Sequence, residues 1–191
     1  TQMIVKGHDF PNVTLVGVLA ADMSLYTDDY RSGERTFQLL TQAAGRAGRG
    51  GQKGEAVIQT YSPEHYAVVA AAAQDYEAFY EEEMRYRELM GYPPAENLLA
   101  LFVSCENENM LEKGCHYLKE YILRVKGKRR ADVIGPASPG IDKIKDVYRR
   151  VIYVKSADYD SLIVIKDRVE QYIEINSGFD KMRIQFDFNP L

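Results

Sequence analysis

The sequence predicts an α/β segment followed by an α+β domain, and three patterns support this fold class. A short apolar run rich in β-branched residues, residues 13–20, is typical of a strand in a buried parallel sheet. A helical pattern over residues 62–90 separates this segment from the rest, in which strand and helix patterns alternate to the end. Since 46% of the 191 residues are hydrophobic, the chain is able to bury two cores.

The helical segment that follows residue 61 carries start and stop signals. Ser62 fits a helix N-cap and Pro63 a first helical position. Gly91 and two prolines follow the last predicted helical residue. We therefore predict one helix over residues 62–90. It lies in a linking segment over 63–94, which joins an α/β segment over 1–62 to an α+β domain over 95–191.

In the α/β segment, a helix is predicted over residues 34–44 and a second strand over 55–61. Asp22 follows the carboxyl end of the first strand, the edge at which ligands bind in open α/β sheets. An aspartate at that position also caps turns, and the pattern leaves both interpretations open.

The last domain has the element order β-α-β-β-α-β. This is the split βαβ order of ferredoxin-like folds, in which two helices cover one face of a four-stranded antiparallel sheet. The predicted strands span residues 98–105, 131–134, 150–155 and 182–188, and the predicted helices span 108–125 and 159–175. A Gly- and Pro-rich loop over 135–148 joins the central strands, and a loop of this length is typical of a functional element.

Charge is distributed unevenly, although the net charge of the chain is only −4. The first hundred residues are acidic overall, and the rest are slightly basic. Basic residues cluster at the end of the helix predicted over 108–125: Arg124, Lys126, Lys128, Arg129 and Arg130. Such a cluster either binds nucleic-acid phosphates or forms a solvated helix end. The candidate DNA contacts are Lys126, Lys128, Arg129, Arg130, Arg149 and Arg150.

Neither a metal site nor a membrane span is predicted. Cys105 and Cys115 form no Cys-x-x-Cys pair and have no His pair at metal spacing, so we expect reduced thiols. No apolar run approaches the roughly 20 residues that cross a bilayer. The first 20 residues lack the features of a signal peptide. We therefore expect a cytoplasmic protein without a membrane partner.

The segment from Gln42 to Arg49 places Arg46 and Arg49 three residues apart, among glycines, at the end of a predicted helix. A guanidinium is permanently charged and matches phosphate oxygens, so this pair could stabilise the charge on a transferring phosphoryl group. A glycine-rich turn with two solvated arginines explains the spacing equally well.

Together with the opening TQMIVKGHDF, the segment QAAGRAGR resembles motifs V and VI of superfamily 2 helicases. Further blocks look like the replication-restart helicases and occur in their order: ERTFQLLTQAAGRAGRG, GEAVIQTYSPEH, the GYPP turn and the closing FDFNPL. The resemblance is close over the first hundred residues and rests on fewer positions beyond them. It implies that residues 1–62 are part of the second RecA-like lobe of a helicase.

The resemblance also implies roles for individual residues. Arg46 and Arg49 would be catalytic arginines that reach ATP held by another lobe, and Gln42 would bind near its γ-phosphate. Gly7 and Asp9 would belong to the nucleotide site and couple it to DNA. Contacts with the DNA single strand would come from Thr1, Gln2 and Lys6.

For the parent protein, the resemblance implies an ATP-dependent 3′-to-5′ DNA helicase that assembles the primosome at stalled forks. It would use ATP and Mg²⁺ and hold zinc in an upstream segment. Its partners would be forked or single-stranded DNA, other primosome proteins and single-strand binding protein, the last through Arg149 and Arg150 beside Tyr148 and Tyr153. Because the chain opens in a motif without Met and contains no G-x-x-x-x-G-K-[ST] loop, we expect an inactive piece of that parent.

Two other functions stay open. A nucleic-acid-binding module that uses no nucleotide could share the ferredoxin-like order and stack bases on sheet aromatics, although Tyr153 stands nearly alone among the predicted strand positions. A structural interaction domain would instead use the tyrosine-rich helix over 62–90 as a docking surface. Fold order alone does not separate these functions.

Overall fold

The structure is a computed structural model that describes residues 12–27, 29–48 and 53–190. The chain divides into two compact units, Thr1–Tyr86 (unit 1) and Arg87–Leu191 (unit 2). Both units combine helices with paired strands, so the predicted mixed α/β class is confirmed. The segment boundaries predicted near residues 62 and 94 remain predictions.

Unit 1 contains a pair of parallel strands, β1 (Leu15–Val18) and β2 (Glu55–Ile58). A short helix, α1 (Asp22–Leu25), and a longer one, α2 (Ser32–Ala44), lie between them in sequence. The core of unit 1 is made by residues of all these elements and of the helices that follow: Val18, Ala21, Leu25, Phe37, Leu40, Ile58, Ala67, Val68, Ala70, Ala71 and Phe79.

The strand pair is parallel as predicted, but the expectation of a fully buried strand over residues 13–20 is wrong. Val18 and Ile58 pack against the helical core, whereas Leu15 and Val57 are more than half exposed. Side chains alternate between the two faces of a strand, and the described helices of unit 1 cover only one face. A continuous apolar run does not reveal whether both faces of its strand are covered.

The single helix predicted over residues 62–90 is also wrong, because two helices occupy this segment. They are α3 (Tyr66–Ala73) and α4 (Tyr76–Met90). Gln74 adopts a left-handed conformation, and its N–H donates to carbonyl oxygens of α3. Asp75 then accepts a hydrogen bond from the Ala78 N–H at 3.0 Å, as an N-cap does. These two residues end one helix and begin the next.

The N-cap of helix α3 lies three residues later than predicted. The Ser62 hydroxyl is within 2.6 Å of the Tyr26 hydroxyl, and the His65 N–H donates to the Ser62 carbonyl across a turn. The N-cap is His65, whose Nδ1 accepts a hydrogen bond from the Ala67 N–H at 3.2 Å. Pro63 therefore lies in a turn before the helix. The predicted end at Met90 is confirmed, with Gly91 beyond it at φ +61°.

Unit 2 is an antiparallel sheet covered on one face by two helices. Its path of hydrogen-bonded strands is β4-β6-β3-β7, and a short strand, β5, pairs with β6. The strands are β3 (Asn97–Cys105), β4 (Asp132–Ala137), β5 (Lys143–Ile144), β6 (Val147–Ser156) and β7 (Arg183–Phe188). The helices are α5 (Glu108–Lys126) and α6 (Tyr159–Glu174), followed by a 3₁₀ helix, Ser177–Phe179. All six elements predicted in this domain are present, with ends shifted by up to three residues.

The main core of unit 2 lies between the sheet and its helices. Leu99, Leu101 and Val103 of β3 point toward α5 and α6 and are at most 1% exposed. Complete burial of a Leu or Val side chain contributes about 1.5–3 kcal/mol relative to exposure, so each of these three residues stabilises the unit by about that amount. Cys105 and Cys115 are free thiols in this core, as predicted. Burial raises the pKa of the Cys115 thiol to about 12, which keeps it protonated.

The loop predicted over residues 135–148 is partly ordered. Strand β4 extends to Ala137, and β5 forms a hairpin with the start of β6. Lys145 and Asp146, the two residues at its turn, have φ angles of +48° and +63°. Two successive positive φ values are typical of the tight turn that joins antiparallel strands. A hairpin without glycine at its turn is not obvious from sequence.

Two kinds of feature are absent from the described residues. None of the helices found there combines the length and apolar character that crossing a membrane requires. No group of three or more His, Cys, Asp or Glu residues in the same part of the chain is arranged to hold a metal ion.

Candidate functional site

The predicted nucleotide residues that the structure describes lie at the end of α2. Gln42 is exposed in the last turn of the helix, and Arg46 is half-buried in the turn that follows. Arg49 lies outside the described residues, as do the other candidates of the opening segment: Thr1, Gln2, Lys6, Gly7 and Asp9. The structure therefore describes the predicted nucleotide site at the end of α2, where Gln42 and Arg46 lie.

Backbone contacts hold the turn that carries Arg46. The Arg46 N–H donates to the Ala43 carbonyl at 3.0 Å, which continues the helix by one turn. Gly48 has a φ of +77°, and its N–H donates to the Val13 carbonyl just before β1 at 2.9 Å. A Cβ atom at Gly54 would collide with the backbone of Gly48. We call residues 45–48 the arginine turn; it is fixed against the amino-terminal ends of β1 and β2.

Asp22 lies at the opposite, carboxyl-terminal end of this strand pair. Its carboxylate accepts a hydrogen bond from the Thr60 hydroxyl at 2.8 Å and others from the Tyr61 N–H at 3.0 and 3.2 Å. Desolvation alone would raise the pKa of Asp22, but these hydrogen bonds outweigh it and lower the pKa below its usual value. Of the two interpretations of Asp22, the geometry favours the turn-capping one, and Arg46 belongs to a different end of the sheet.

The basic cluster at the end of α5 divides into two kinds of residue. Lys126 Nζ donates to the Ala131 carbonyl at 2.7 Å, and Arg129 Nη1 donates to the Val125 carbonyl at 3.3 Å. Both contacts tie the helix end to its surroundings, as basic residues often do there. Lys128 and Arg130 are exposed, and no side-chain contact to another described residue is found for either. These two charges are the most available to a phosphate.

Arg149 and Arg150 are neighbours in sequence but face opposite sides of the sheet. Arg150 lies on the helix side, where its guanidinium contacts the Glu112 carboxylate at 2.6 Å and that of Glu108 at 3.7 Å. Its side chain is 14% exposed. Arg149 points to the other side of the sheet, which we call the second face. The two arginines therefore do not form one basic patch.

One end of the second face is closed by the turn that follows α4. Lys155 Nζ donates to the Met90 carbonyl at 2.8 Å and lies 3.7 Å from the centre of the Tyr92 ring. Burial lowers the pKa of Lys155, although the Glu96 and Asp132 carboxylates oppose this effect. The turn is thus attached to the sheet by one lysine.

The other end of the second face carries polar residues that sequence reasoning missed. Ser104 of β3 is paired with Arg149 of β6 and with Arg183 of β7. Phe102, two residues from Ser104, lies on the same face and is half-buried, so Tyr153 is not the lone aromatic residue there. The alternation of side chains along β3 contains this signal, but the cross-strand pairing of Arg183 requires the register.

Comparisons with known proteins find relatives over the whole chain and a family model over its second part. A family model described as primosomal protein N C-terminal domain matches residues 88–191. The chain is 41% identical to "Replication restart protein PriA" of Bacillus subtilis (strain 168), with 100% of this chain and 24% of that protein covered. It is 39% identical to the protein of that name from Synechocystis sp., with 90% of this chain and 20% of that protein covered. The protein of that name from Chlamydia pneumoniae is 35% identical, with 100% of this chain and 25% of that protein covered.

The chain spans about a quarter of the length of these curated relatives. The similarity therefore concerns a part of each of them.

Proposed function

The chain belongs to the family of the primosomal protein N C-terminal domain, and from this membership we propose that it is the C-terminal part of a replication restart protein. In the parent protein, the activity would be that of an ATP-dependent 3′-to-5′ DNA helicase. ATP and Mg²⁺ would bind between this chain and a lobe outside it, and zinc would bind in a segment outside it. The observation that carries the proposal is the match of the family model to residues 88–191.

The proposed architecture assigns residues 1–62 to part of a RecA-like lobe, 63–94 to a link, and 95–191 to a ferredoxin-like domain. The parallel pairing of β1 with β2 supports the first assignment, since RecA-like lobes are built on parallel sheets. The strand order β4-β6-β3-β7, with both helices on one face, supports the third. The uncovered face of β1 and β2 would then pack against further elements of the lobe.

The proposed task of the arginine turn is to stabilise transferring phosphate. A guanidinium that reaches a γ-phosphate from a second lobe neutralises charge that develops in the transition state. Arg46 has the support that such a task needs, because backbone hydrogen bonds on both sides fix its turn. Gln42, one helical turn earlier, would lie on the same side of α2 and contact the nucleotide beside it. Arg49 would be the second arginine.

This task can be tested in the full-length parent protein. We expect Arg46→Ala and Arg49→Ala each to lower kcat for ATP by roughly 10² or more and to leave DNA affinity nearly unchanged. The matched control is Arg35→Ala, because Arg35 is also on α2 but forms an ion pair with Asp29 at 2.6 Å. The 191-residue chain by itself should hydrolyse no ATP. An unchanged kcat in both arginine variants would leave only the structural interpretation of the turn.

We also propose that unit 2 contacts DNA through its basic residues. Lys128 and Arg130 contribute most, since they have no described side-chain partner, while Lys126 and Arg129 add charge from the same helix end. Arg149 would act from the second face. Arg150 would contribute least, because Glu108 and Glu112 already neutralise it. Contacts of this kind read phosphates and not base sequence.

The proposed partners of the parent protein are forked or single-stranded DNA, single-strand binding protein and other primosome proteins. The acidic tail of single-strand binding protein would need a basic, partly apolar surface on this chain. Arg149 and Tyr148 point to opposite faces of β6, so the set proposed from sequence (Tyr148, Arg149, Arg150 and Tyr153) would have to be contacted from two sides. Arg149 with Tyr153, on the second face, is the more coherent pair.

A second candidate function is that of a nucleic-acid-binding module that needs no nucleotide. The half-buried rings of Phe102 and Tyr153 on the second face support it, since base stacking on sheet aromatics is a common mode of single-strand binding. One measurement separates the two candidates. If the Arg46→Ala variant of the parent protein loses ATP turnover, the helicase function is supported. DNA affinity does not separate them, because both candidates predict that variants of the arginine turn leave it unchanged.

A further inference from the structure

A row of three polar residues crosses the second face of the unit 2 sheet. Ser104 of β3 lies directly opposite Arg149 of β6 on one side and Arg183 of β7 on the other. Directly opposed residues have Cβ atoms about 5 Å apart, so the two arginine side chains flank the serine hydroxyl. Their strands lie two spacings, or about 10 Å, apart. Two side chains of this length can converge on one group above Ser104.

The two guanidiniums in this row are not neutralised. In the described part of the chain, neither Arg149 nor Arg183 forms an ion pair or a side-chain hydrogen bond. Arg150, the next residue in the chain, shows the contrast, because its guanidinium is held by two carboxylates on the opposite face. The row therefore concentrates positive charge that no carboxylate of the described residues contacts within ion-pair distance.

A hollow of about 330 Å³ adjoins this row. Its lining includes Phe102, Ser104, Pro139, Arg149, Gln185 and Asp187. Phe102 and Gln185 are directly opposed on β3 and β7, so an aromatic ring and an amide lie side by side. Asp187 follows two residues along the same face of β7. The volume is within the range of pockets that bind small ligands.

We propose that the Arg149–Ser104–Arg183 row and the hollow bind one nucleotide of an unpaired strand. The phosphate lies between the two guanidiniums, and the base enters the hollow against the Phe102 ring. Gln185 and Asp187 face the edge of the base, where they accept hydrogen bonds from its N–H groups. This inference rests on the proposed DNA contact of unit 2, and it assigns a place and a kind of strand to that contact.

The combination of groups favours an unpaired strand over the alternatives. In a duplex the bases stay stacked inside the helix, and only phosphates would reach the row, so the hollow and Phe102 would have no use. An acidic peptide would fit the two arginines but would bring its carboxylates close to Asp187. A base brings N–H donors to that carboxylate and a flat ring to Phe102, and stacking of this kind accepts every base.

The test compares variants of the 191-residue chain by fluorescence anisotropy with a short mixed-sequence DNA oligonucleotide. We expect the double variant R149Q/R183Q to bind about tenfold more weakly at low salt. Its log-log salt slope should be about 0.7 lower, since the two guanidiniums share one phosphate and each phosphate contact on a single strand contributes about 0.7. The matched control is K113Q/R168Q, which removes the same charge from exposed positions on α5 and α6.

A second variant tests the base. Phe102→Leu keeps an apolar side chain of similar size but removes the ring, so the fragment should lose most of its preference for an intact oligonucleotide over one with abasic sites. Thermal unfolding of each variant confirms that it is folded. If R149Q/R183Q and F102L both bind the oligonucleotides as the wild type does, the proposal is overturned.

The failure of this proposal is distinct from failure of the proposed function. If K128Q/R130Q weakens DNA binding and R149Q/R183Q does not, unit 2 contacts DNA at the helix end and this site is excluded. If the wild-type chain binds no DNA at low salt, the DNA contact itself is excluded. A variant R149Q/R183Q that keeps single-strand affinity but loses affinity for an acidic peptide would identify the row as a protein contact and would also overturn the proposal.

Discussion

The Tyr66 hydroxyl donates a hydrogen bond of 2.7 Å to Oε2 of Glu83, a residue that is only 4% exposed. This bond links α3 to α4 within unit 1. Gly33 of α2 lies directly beside it, since a Cβ atom there would be 2.6 Å from the Tyr66 hydroxyl oxygen and 2.8 Å from the Glu83 carboxylate. Helices α2, α3 and α4 therefore meet at position 33, where there is room for the hydrogen atom of glycine but not for a larger side chain.

We expect Gly33→Ala to lower the free energy of unfolding by about 1–2 kcal/mol. Alanine favours the helix by up to about 1 kcal/mol, but it displaces the Tyr66–Glu83 hydrogen bond, and a buried polar group left unsatisfied costs about 1–3 kcal/mol. Urea denaturation measures the difference. Gly178→Ala is the control, because a Cβ atom at Gly178 meets nothing within 4 Å. Equal stability of both variants would show that the Tyr66–Glu83 pair can move at no cost.

Stability of unit 1 should fall in mild acid through His65. The neutral imidazole is required at the N-cap, because Nδ1 accepts the Ala67 N–H. Burial lowers the pKa of His65, although the Glu83 carboxylate opposes this effect. A base with a lowered pKa in the folded state contributes full stability above its unfolded pKa of about 6.5, and loses it as the pH falls toward the folded value.

We therefore expect a loss of roughly 1 kcal/mol, the usual contribution of an N-cap, between pH 7.5 and pH 5.5. His65→Asn is the matched variant, since asparagine caps helices but does not titrate. Urea denaturation of both proteins at the two pH values measures the difference. The same pH dependence in the variant as in the wild type would assign the effect to other groups.

Arg149 and Arg150 should differ sharply in their contributions to folding. Arg150→Gln should lower the free energy of unfolding by about 1 kcal/mol, since it leaves Glu112 without its partner, and the partial exposure of Glu112 limits the loss. Arg149→Gln should change it by less than about 0.5 kcal/mol, as expected for a residue without such a contact. Thermal unfolding compares them. Glu112→Gln provides the complementary half of a double-mutant cycle, and additive effects of the two substitutions would argue against a stabilising ion pair.

The free charges at the end of α5 should determine the salt dependence of duplex binding. Each phosphate contact on duplex DNA contributes about 0.9 to the log-log slope, so K128Q/R130Q should lower the slope by about 1.8. Fold stability should be preserved, because neither side chain has a described contact. Anisotropy titrations between 50 and 200 mM salt, roughly the range in which phosphate contacts dominate, provide the measurement. A slope identical to that of the wild type would identify the cluster as a solvated helix end.

The order of elements in unit 2 could be predicted because its signals are local. Asn107 accepts a hydrogen bond from the Met110 N–H, and Asp158 caps the start of α6 in a similar way. Continuous apolar runs over residues 98–103 and 151–154 mark β3 and β6. Each of these signals lies within a few residues of the element that it defines.

The single helix predicted over residues 62–90 is wrong because local signals compete in that segment. Ser62 is a good N-cap by type, but its hydroxyl contacts Tyr26, 36 residues away in the chain, and His65 caps the helix instead. The alanine-rich sequence before Gln74 is typical of a helix that continues, so it does not indicate that α3 ends there. The row formed by Arg149, Ser104 and Arg183 depends on strand register across 79 residues, which no local pattern contains.

The contact between Gly48 and Gly54 has a consequence for how the arginine turn tolerates change. Two backbone segments touch there without any side chain between them, and Gly54 immediately precedes β2. A side chain can adjust its rotamer when a neighbour changes, but a backbone contact has no such freedom. Even one methyl group at position 54 would collide with the backbone of Ala47 and Gly48, so the turn that carries Arg46 would have to move. The accuracy of this arginine's position is therefore set by two residues that have no side chains.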